Sequence, residues 1–245
     1  MSFDIVICVG PLDTEIIDSA IPYSIKNIIG HRNIYLVCQN PLIEVNGAIT
    51  IDEKIFPFSI HDVECAHGKL FRNGWYLQQL LKLYAGFVIP GILQKYLVVD
   101  CDTYFLKPTK FLTDDNKCIF TTGTEYHVPY FEHMTRLHPS LKKSHNLSGI
   151  SHHTFFDNKL VQSLIKLVEH YHRAEPKPFW KIYLDEITSE NRVLSGAAEN
   201  EIYFTYVYLY HRQQMEIRNL TWANSGCLHL ETDNVFMSVH HYLRK

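Results

Sequence analysis

Short apolar runs alternate with segments of helical periodicity along the first half of the chain. The run at residues 3–9 is apolar apart from Asp4 and ends at Gly10-Pro11, which is typical of a strand buried on both faces. In all, the pattern predicts strands at residues 3–9, 33–38, 48–51, 95–99 and 118–122, with helices at residues 14–29 and 69–85. This alternation indicates an α/β fold, Rossmann-like, with a mostly parallel central sheet flanked by helices.

The second half of the chain has a less regular pattern. Its periodicity predicts helices at residues 127–137, 155–171 and 199–210, and a final strand at residues 235–240. No stretch rich in Gly, Ser or Pro separates the two halves, and no repeat is present. We therefore predict one domain over residues 1–245, with an irregular helical C-terminal part.

Charge and composition narrow the class of protein. The 245 residues include 23 Lys and Arg against 26 Asp and Glu, a formal net charge of −3, and 46% are hydrophobic. A hydrophobic content this high argues against intrinsic disorder. Because no basic excess is available to neutralise phosphates, we do not expect a nucleic-acid partner. The 15 His and 15 Tyr supply side chains that bind ligands at neutral pH.

The sequence carries no clear signal peptide, transmembrane segment or paired-cysteine motif. The first residues lack the basic region and small-residue cleavage site of a signal peptide. The most apolar stretch, at residues 84–93, is short and contains Pro90, so no transmembrane segment is expected. The six Cys are scattered without a C-x-x-C motif, which favours buried thiols. We expect a cytoplasmic protein.

Several common catalytic motifs are absent from the sequence. The chain has no G-x-G-x-x-G, no P-loop, no H-E-x-x-H and no G-x-S-x-G. Nicotinamide-dependent enzymes, P-loop ATPases, zincins and α/β-hydrolases are correspondingly disfavoured.

Asp100-Cys101-Asp102 is the only D-x-D in the chain and directly follows the apolar strand at residues 95–99. Ligands of open α/β sheets bind at this carboxyl edge. If the strand alternation continues, both carboxylates point to one side and form a hard oxygen site suited to Mg²⁺ or Mn²⁺. The alternative is a turn with two solvated acids.

The helix just upstream carries polar side chains at helical spacing. Arg72, Trp75, Gln79 and Lys82 fall within an arc of about 80° on a helix of 100° per residue. Two cations, an amide and an indole suit a sugar and a diphosphate, and Leu77, Leu80, Leu81 and Tyr84 are predicted to bury the opposite face. An ordinary surface helix with a polar outer face is the alternative.

Histidines and acids in the second half are further candidates. His240 or His241, at the end of the last predicted strand, would serve as a third ligand of a transition-type divalent ion. Glu199, or Glu201, is predicted to hold or deprotonate an acceptor hydroxyl, although the helix dipole favours an acid there whatever its role. His152-His153 could line an acceptor pocket or simply pack locally.

Together these residues resemble GT-A fold glycosyltransferases, and the DUF6492-type family in particular. The family's G-W-Y-x-Q-Q-x-x-K-L helix is matched at residues 74–83 and its V-D-x-D strand end at residues 99–102. An H-H pair before aromatics is matched at His152-His153, and a C-terminal strand with His at residues 239–241. The family's S-E-x-E segment is replaced by A-E-N-E at residues 198–201, which puts the acceptor side in doubt.

The resemblance implies a donor-binding half at about residues 1–122 and an acceptor-binding half at about residues 123–245. By this analogy a nucleoside-diphosphate sugar is the donor, and Mn²⁺ or Mg²⁺ holds its diphosphate. A glycan or other hydroxyl compound is the acceptor. The roles carried over are metal binding for Asp100, Asp102 and His240; donor binding for Arg72, Gln79, Lys82 and Asp100; proximity to the base for Pro11 and Asp13; and acceptor activation for Glu199.

Two other functions remain open at the level of sequence. A nucleotidyltransferase would use a similar sheet and a carboxylate-bound Mg²⁺, but the loop at residues 10–14 lacks the cation expected in its phosphate loop. A non-catalytic carbohydrate-binding protein on a transferase fold would bind glycan without metal or nucleotide, and calorimetry would distinguish it.

Overall fold

A computed structural model describes residues 2–11, 13–39 and 44–244. The strands are β1 (Phe3–Val9), β2 (Ile28–Ile29), β3 (His31–Cys38), β4 (Ile49–Asp52), β5 (Lys95–Val99), β6 (Thr103–Phe105), β7 (Thr109–Lys110), β8 (Cys118–Thr121), β9 (His153–Asp157), β10 (Met215–Arg218), β11 (Trp222–Ser225) and β12 (Phe236–Val239). The α-helices are α1 (Ile17–Asn27), α2 (Ile60–His67), α3 (Asn73–Val88), α4 (Val128–Leu137), α5 (Asn158–Tyr171), α6 (Phe179–Asp185) and α7 (Glu199–Tyr210). Short 3-10 helices span Glu53–Ile55, Ser189–Asn191, Arg212–Gln214 and His241–Leu243.

The central sheet has the strand order β4-β3-β1-β5-β9. The first four of these strands are parallel, and β9 adds antiparallel to β5 at one edge. Every residue of β1 is buried, which agrees with its largely apolar sequence and with helices covering the sheet; the one charged residue, Asp4, pairs with Arg32 at 2.7 Å. The predicted α/β class, with a mostly parallel sheet flanked by helices, is confirmed.

The strand order contains a reversal beside β1. The chain moves from β1 to β3 and β4 on one side, then returns to the other side of β1 to form β5. At such a switch point the loops leave the carboxyl ends of the two neighbouring strands in opposite directions, and a crevice opens between them. The end of β5, where Asp100 lies, borders this crevice.

A second, smaller sheet positions the C-terminal segment. Strand β12 pairs parallel with β11 and antiparallel with β6, which begins directly after Asp102. The backbone N–H of Val239 donates to the carbonyl of Asp102 at 2.8 Å, so the end of β12 is joined directly to the D-x-D turn. Contacts between residues about 135 positions apart thus place His240 beside Asp102.

Four sequence predictions need correction. The helix predicted at residues 14–29 spans only Ile17–Asn27, and Ile28–Ile29 form β2. Residues 155–157 belong to strand β9 and not to a helix, because a short apolar run fits either element. Helix α5 begins only after Asp157, whose side chain accepts from the Lys159 N–H at 3.0 Å. Strand β8 exists as predicted but pairs with β10 outside the central sheet. Helix α3 begins at Asn73, four residues later than predicted.

Within the described ranges, no helix combines the length and the apolar character that a membrane-spanning segment requires.

Candidate active site

A cleft of about 550 Å³ lies at the carboxyl ends of β1, β3 and β5. Its volume falls in the range of about 300–1,000 Å³ typical of small-molecule sites. The walls combine apolar side chains with a limited set of polar ones. The polar and charged residues that line it are Asp13, Gln39, Glu53, Arg72, Gln78, Asp100, Asp102 and His240.

Asp102 is bound by two groups from the C-terminal strand. The Ser238 hydroxyl donates to Oδ1 at 3.0 Å, and Nδ1 of His240 lies 2.9 Å from Oδ2. Because Nδ1 faces a carboxylate, this nitrogen carries a proton. The ring of Tyr242 stacks on that of His240, with centroids 5.0 Å apart. Asp102 therefore fixes both the position and the tautomer of His240.

Asp100 is held from the other side by a buried cation. Its Oδ1 accepts from the Lys82 ammonium at 2.8 Å, and the same ammonium lies 3.0 Å from Oε1 of Glu199. His152 approaches Oδ2 of Asp100 with Nδ1 at 3.6 Å. Burial alone would favour the neutral acid, but Lys82 and His152 hold the pKa of Asp100 well below its usual range. Asp100 is therefore an anion at neutral pH.

Lys82 stays charged because its carboxylate neighbours outweigh the effect of burial. Burial disfavours its ammonium form, yet the carboxylates of Asp100 and Glu199 raise the pKa of Lys82 above its usual range. The buried triad of Asp100, Lys82 and Glu199 thus joins three elements, namely the end of β5, helix α3 and the start of α7. Glu199 is buried in this triad and does not line the cleft, in contrast to the open carboxylate that the sequence suggested.

Helix α3 does not have the two faces that its sequence predicted. Gln79 and Lys82 are as buried as Leu80, whereas Leu77 and Leu81, placed on the opposite side by periodicity, line the cleft. Most of the helix is buried because it packs on β1 and β5 and against helices α2, α5 and α7. The prediction of one ligand-facing polar stripe is therefore wrong.

The members of that predicted stripe have separate environments. Arg72 lines the cleft, with its guanidinium 5.5 Å from the ring centroid of Trp75. Gln79 points away from the cleft, where its amide oxygen accepts from the Glu199 N–H at 3.2 Å and from the Tyr183 hydroxyl. Gln79 therefore satisfies a backbone donor at the N-terminus of α7.

Pro11 and Asp13, predicted to lie near the nucleotide base, do line the cleft. Asp13 is near the D-x-D turn, because its Oδ1 accepts from Arg244 at 2.8 Å and its charge, after burial, raises the pKa of the Cys101 thiol. The C-terminal segment that carries His240, Tyr242 and Arg244 therefore closes this end of the cleft.

The two histidine pairs separate into different environments. His152 lies beside Asp100 without lining the cleft, and its ring is 5.1 Å from that of His240. His153 is buried among aromatic rings, and its Nε2 lies 2.8 Å from the Thr121 hydroxyl oxygen. Burial lowers the pKa of His153 to about 3. His153 is thus a neutral core residue. The side chain of His241 lies outside the described part of the chain.

Glu201, the alternative acid of the second half, is also remote from the cleft. Its carboxylate is buried, accepts from the Gly149 N–H at 2.7 Å and pairs with Lys143 at 2.5 Å. These partners stabilise the packing of the loop before β9 against α7.

Sequence reasoning missed Gln39, Glu53 and Gln78 as cleft residues. Gln39 and Glu53 directly follow β3 and β4, so a search for polar residues after each predicted strand would have found them. Gln78 is the first Gln of the matched G-W-Y-x-Q-Q-x-x-K-L segment, and that match was the signal that could have found it.

The side chains of the cleft include groups that could bind a divalent ion. Within residues 2–11, 13–39 and 44–244, no three His, Cys, Asp or Glu side chains are arranged as a ligand set for a metal ion. Two carboxylates and one imidazole nevertheless share the wall of a single cleft, and their donor atoms are the kind that Mn²⁺ accepts. The donor atoms of these residues are therefore of a type that suits such an ion. In this structure Asp100 contacts Lys82 and His152, and Asp102 accepts from Ser238.

No protein-family model matches the chain, and no curated protein matches it. The relationship to the DUF6492-type family therefore stays a hypothesis. Among solved structures, the chain is similar to mouse xyloside xylosyltransferase 1 in its apo form, with a TM-score of 0.49 and 11% identity over the whole of both chains. A likeness this distant supports no inference about activity, so the argument for function rests on the cleft itself.

Proposed function

We propose that this protein is a metal-dependent glycosyltransferase that moves a sugar from a nucleoside-diphosphate sugar to a hydroxyl of a glycan or other acceptor. The observation that carries the proposal is the meeting of Asp100, Asp102 and His240 on one wall of the cleft at the switch point. A binding site for an uncharged ligand would not need two carboxylates there, whereas a diphosphate with its counter-ion does.

In this proposal the D-x-D end of the cleft takes the diphosphate. Asp100, Asp102 and His240 would hold a divalent ion, which would supply the positive charge that stabilises the nucleoside diphosphate as it leaves. Arg72 adds a cation at the wall of the same cleft. Lys82 keeps Asp100 ionised and in place.

Calorimetry with the full chain tests this function. We expect GDP or UDP to bind with micromolar affinity in the presence of Mn²⁺ and at least tenfold more weakly in EDTA, since the ion screens the diphosphate from the two carboxylates. Nucleotide binding that is indifferent to Mn²⁺, or binding of glycans with no nucleotide binding at all, would contradict the proposal.

Glu199 was predicted as the base that activates the acceptor, and its place in the buried triad leads us to propose a positioning role instead. We expect Glu199→Gln to lower Mn²⁺ and donor affinity by roughly tenfold, because Lys82 loses one of its two anionic partners and shifts against Asp100. The measurement is a comparison of KM and kcat over pH 5–9. A general base would instead give a collapse of kcat with unchanged KM and the loss of the acidic limb of the pH profile.

The C-terminal segment can be displaced by a substitution at a residue that does not itself line the cleft. A Cβ at Gly226 would lie 2.1 Å from the carbonyl oxygen of Leu243, so Gly226→Ala must move the 3-10 helix that carries Tyr242. We expect nucleotide affinity to fall by roughly tenfold, while overpacking lowers the free energy of unfolding by about 1–2 kcal/mol. Gly123→Ala, where a Cβ meets only ordinary contacts, is the matched control. Unchanged affinity in Gly226→Ala would show that the segment does not shape the site.

A further inference from the structure

The end of the cleft farthest from Asp100 carries its own pair of polar side chains. Glu53 directly follows β4 and Gln39 directly follows β3, and both line the cleft. We call these two residues and the adjoining wall the β4 end. Strand β4 is three positions from β5 in the sheet, so at about 4.8 Å per strand the β4 end lies roughly 14 Å from Asp100. A nucleoside diphosphate with its phosphates at Asp100 would extend its base toward this end.

Glu53 lacks a partner in the described part of the chain. No hydrogen bond or ion pair from another described residue reaches its carboxylate, although the side chain is only partly exposed. Burial and the neighbouring Asp52 raise the pKa of Glu53, and Lys54 offsets this in part. A half-buried carboxylate of this kind gains from any ligand that offers N–H donors.

The surrounding wall suits a planar base. Val37, Ile60 and Leu81 line the cleft beside Glu53 and Gln39, so the polar atoms lie at the edge of an apolar slot. Such a slot takes the faces of a base, and the polar atoms contact its edge. Specificity among bases then depends on which hydrogen-bonding groups that edge presents.

The edge that a carboxylate prefers is that of guanine. A carboxylate only accepts, and guanine presents two adjacent donors, N1–H and the N2 amino group, which one carboxylate can accept together. Uracil presents a single N–H between two carbonyls, which repel a carboxylate. The Gln39 amide adds a group that can donate to guanine O6. We infer that the donor is a guanosine-diphosphate sugar and that Glu53 selects the base; this inference rests on the proposed transferase function.

The test is calorimetry with the full chain in Mn²⁺, using GDP, UDP and inosine diphosphate, which lacks only the N2 amino group of GDP. Wild type is expected to bind GDP at least tenfold more tightly than UDP, and several-fold more tightly than inosine diphosphate, as a bidentate pair implies. Glu53→Gln should lose at least tenfold in GDP affinity and no longer distinguish GDP from inosine diphosphate. Its affinity for UDP should stay or improve, because an amide complements the uracil edge.

Glu216→Gln, at an exposed carboxylate on β10, is the matched control and should behave as wild type. Tighter binding of UDP than GDP by wild type, or an equal loss for all nucleotides in Glu53→Gln, would overturn the assignment of the base while leaving the transferase proposal intact. Absence of Mn²⁺-dependent binding by any of the nucleotides would instead overturn the proposed function itself.

Discussion

Replacing Lys82 by methionine is expected to lower the free energy of unfolding by about 3 kcal/mol at neutral pH, because removal of one member of a buried ion cluster leaves uncompensated charge. For a chain of this length that loss corresponds to a fall in melting temperature of roughly 6–12 °C. Methionine keeps most of the packing volume, so the effect reports on the ammonium group. Urea unfolding of the two proteins measures it.

The pH dependence of that difference has a definite sign. In wild type, Lys82 and His152 hold the pKa of Asp100 below its usual range, so the stability this provides is present above the ordinary Asp pKa of about 4 and is lost as pH falls below it. Without Lys82, burial dominates and Asp100 takes up a proton at a higher pH. The stability difference between the two proteins should therefore narrow from about pH 7 to about pH 4.5.

Lys181→Met, at an exposed lysine on α6, is the matched control and should stay within about 0.5 kcal/mol of wild type. A Lys82→Met protein as stable as this control, or a difference that widens at lower pH, would contradict the charged triad.

The second large effect is expected from Asp102→Asn. The amide cannot act as an anionic ligand and no longer accepts the Nδ1 proton of His240 as a charged partner, so two of the three candidate ligands are weakened together. We expect sugar transfer or donor hydrolysis to fall by at least ~10²-fold. Mn²⁺ affinity, measured by titration without nucleotide, should fall in the same variant.

Asp114→Asn, at an exposed carboxylate before β8, controls for loss of one negative charge and should leave both measurements unchanged. Unfolding curves of Asp102→Asn should remain close to wild type, since a near-isosteric amide keeps the Ser238 hydrogen bond. Equal turnover by Asp102→Asn and wild type would remove Asp102 from the proposed metal site.

The sequence supported the central elements because each had a strong local signal. Strand β1 is an apolar run interrupted only by Asp4 and ends before Gly10-Pro11. The apolar part of β5 ends at Asp100, and α7 begins shortly after Ser195-Gly196. Residues 155–157 lacked such a signal, because an apolar run of that length fits a strand and a buried helix equally well. The mistaken assignment there concealed β9, and with it the reason why His152 lies beside Asp100.

The chemistry of single positions was less predictable than the elements. Periodicity grouped Gln79 with Arg72, yet tertiary packing turned Gln79 to the backbone of α7 and left Arg72 at the cleft. An amphipathic pattern assumes that one helix face meets solvent, whereas most of α3 is buried. The burial of Glu199 against Lys82 arises from the same packing.

The sequence by itself determined the α/β class, the strand ends that carry polar residues and the D-x-D turn, because these depend on residues close together in the chain. Only the tertiary structure decided which of the candidates meet. Asp102 contacts His240 through the β6–β12 pairing, Lys82 joins Asp100 to Glu199, and Glu53 lies across the sheet from Asp100. Such contacts depend on strand order and helix packing, which local sequence patterns do not encode.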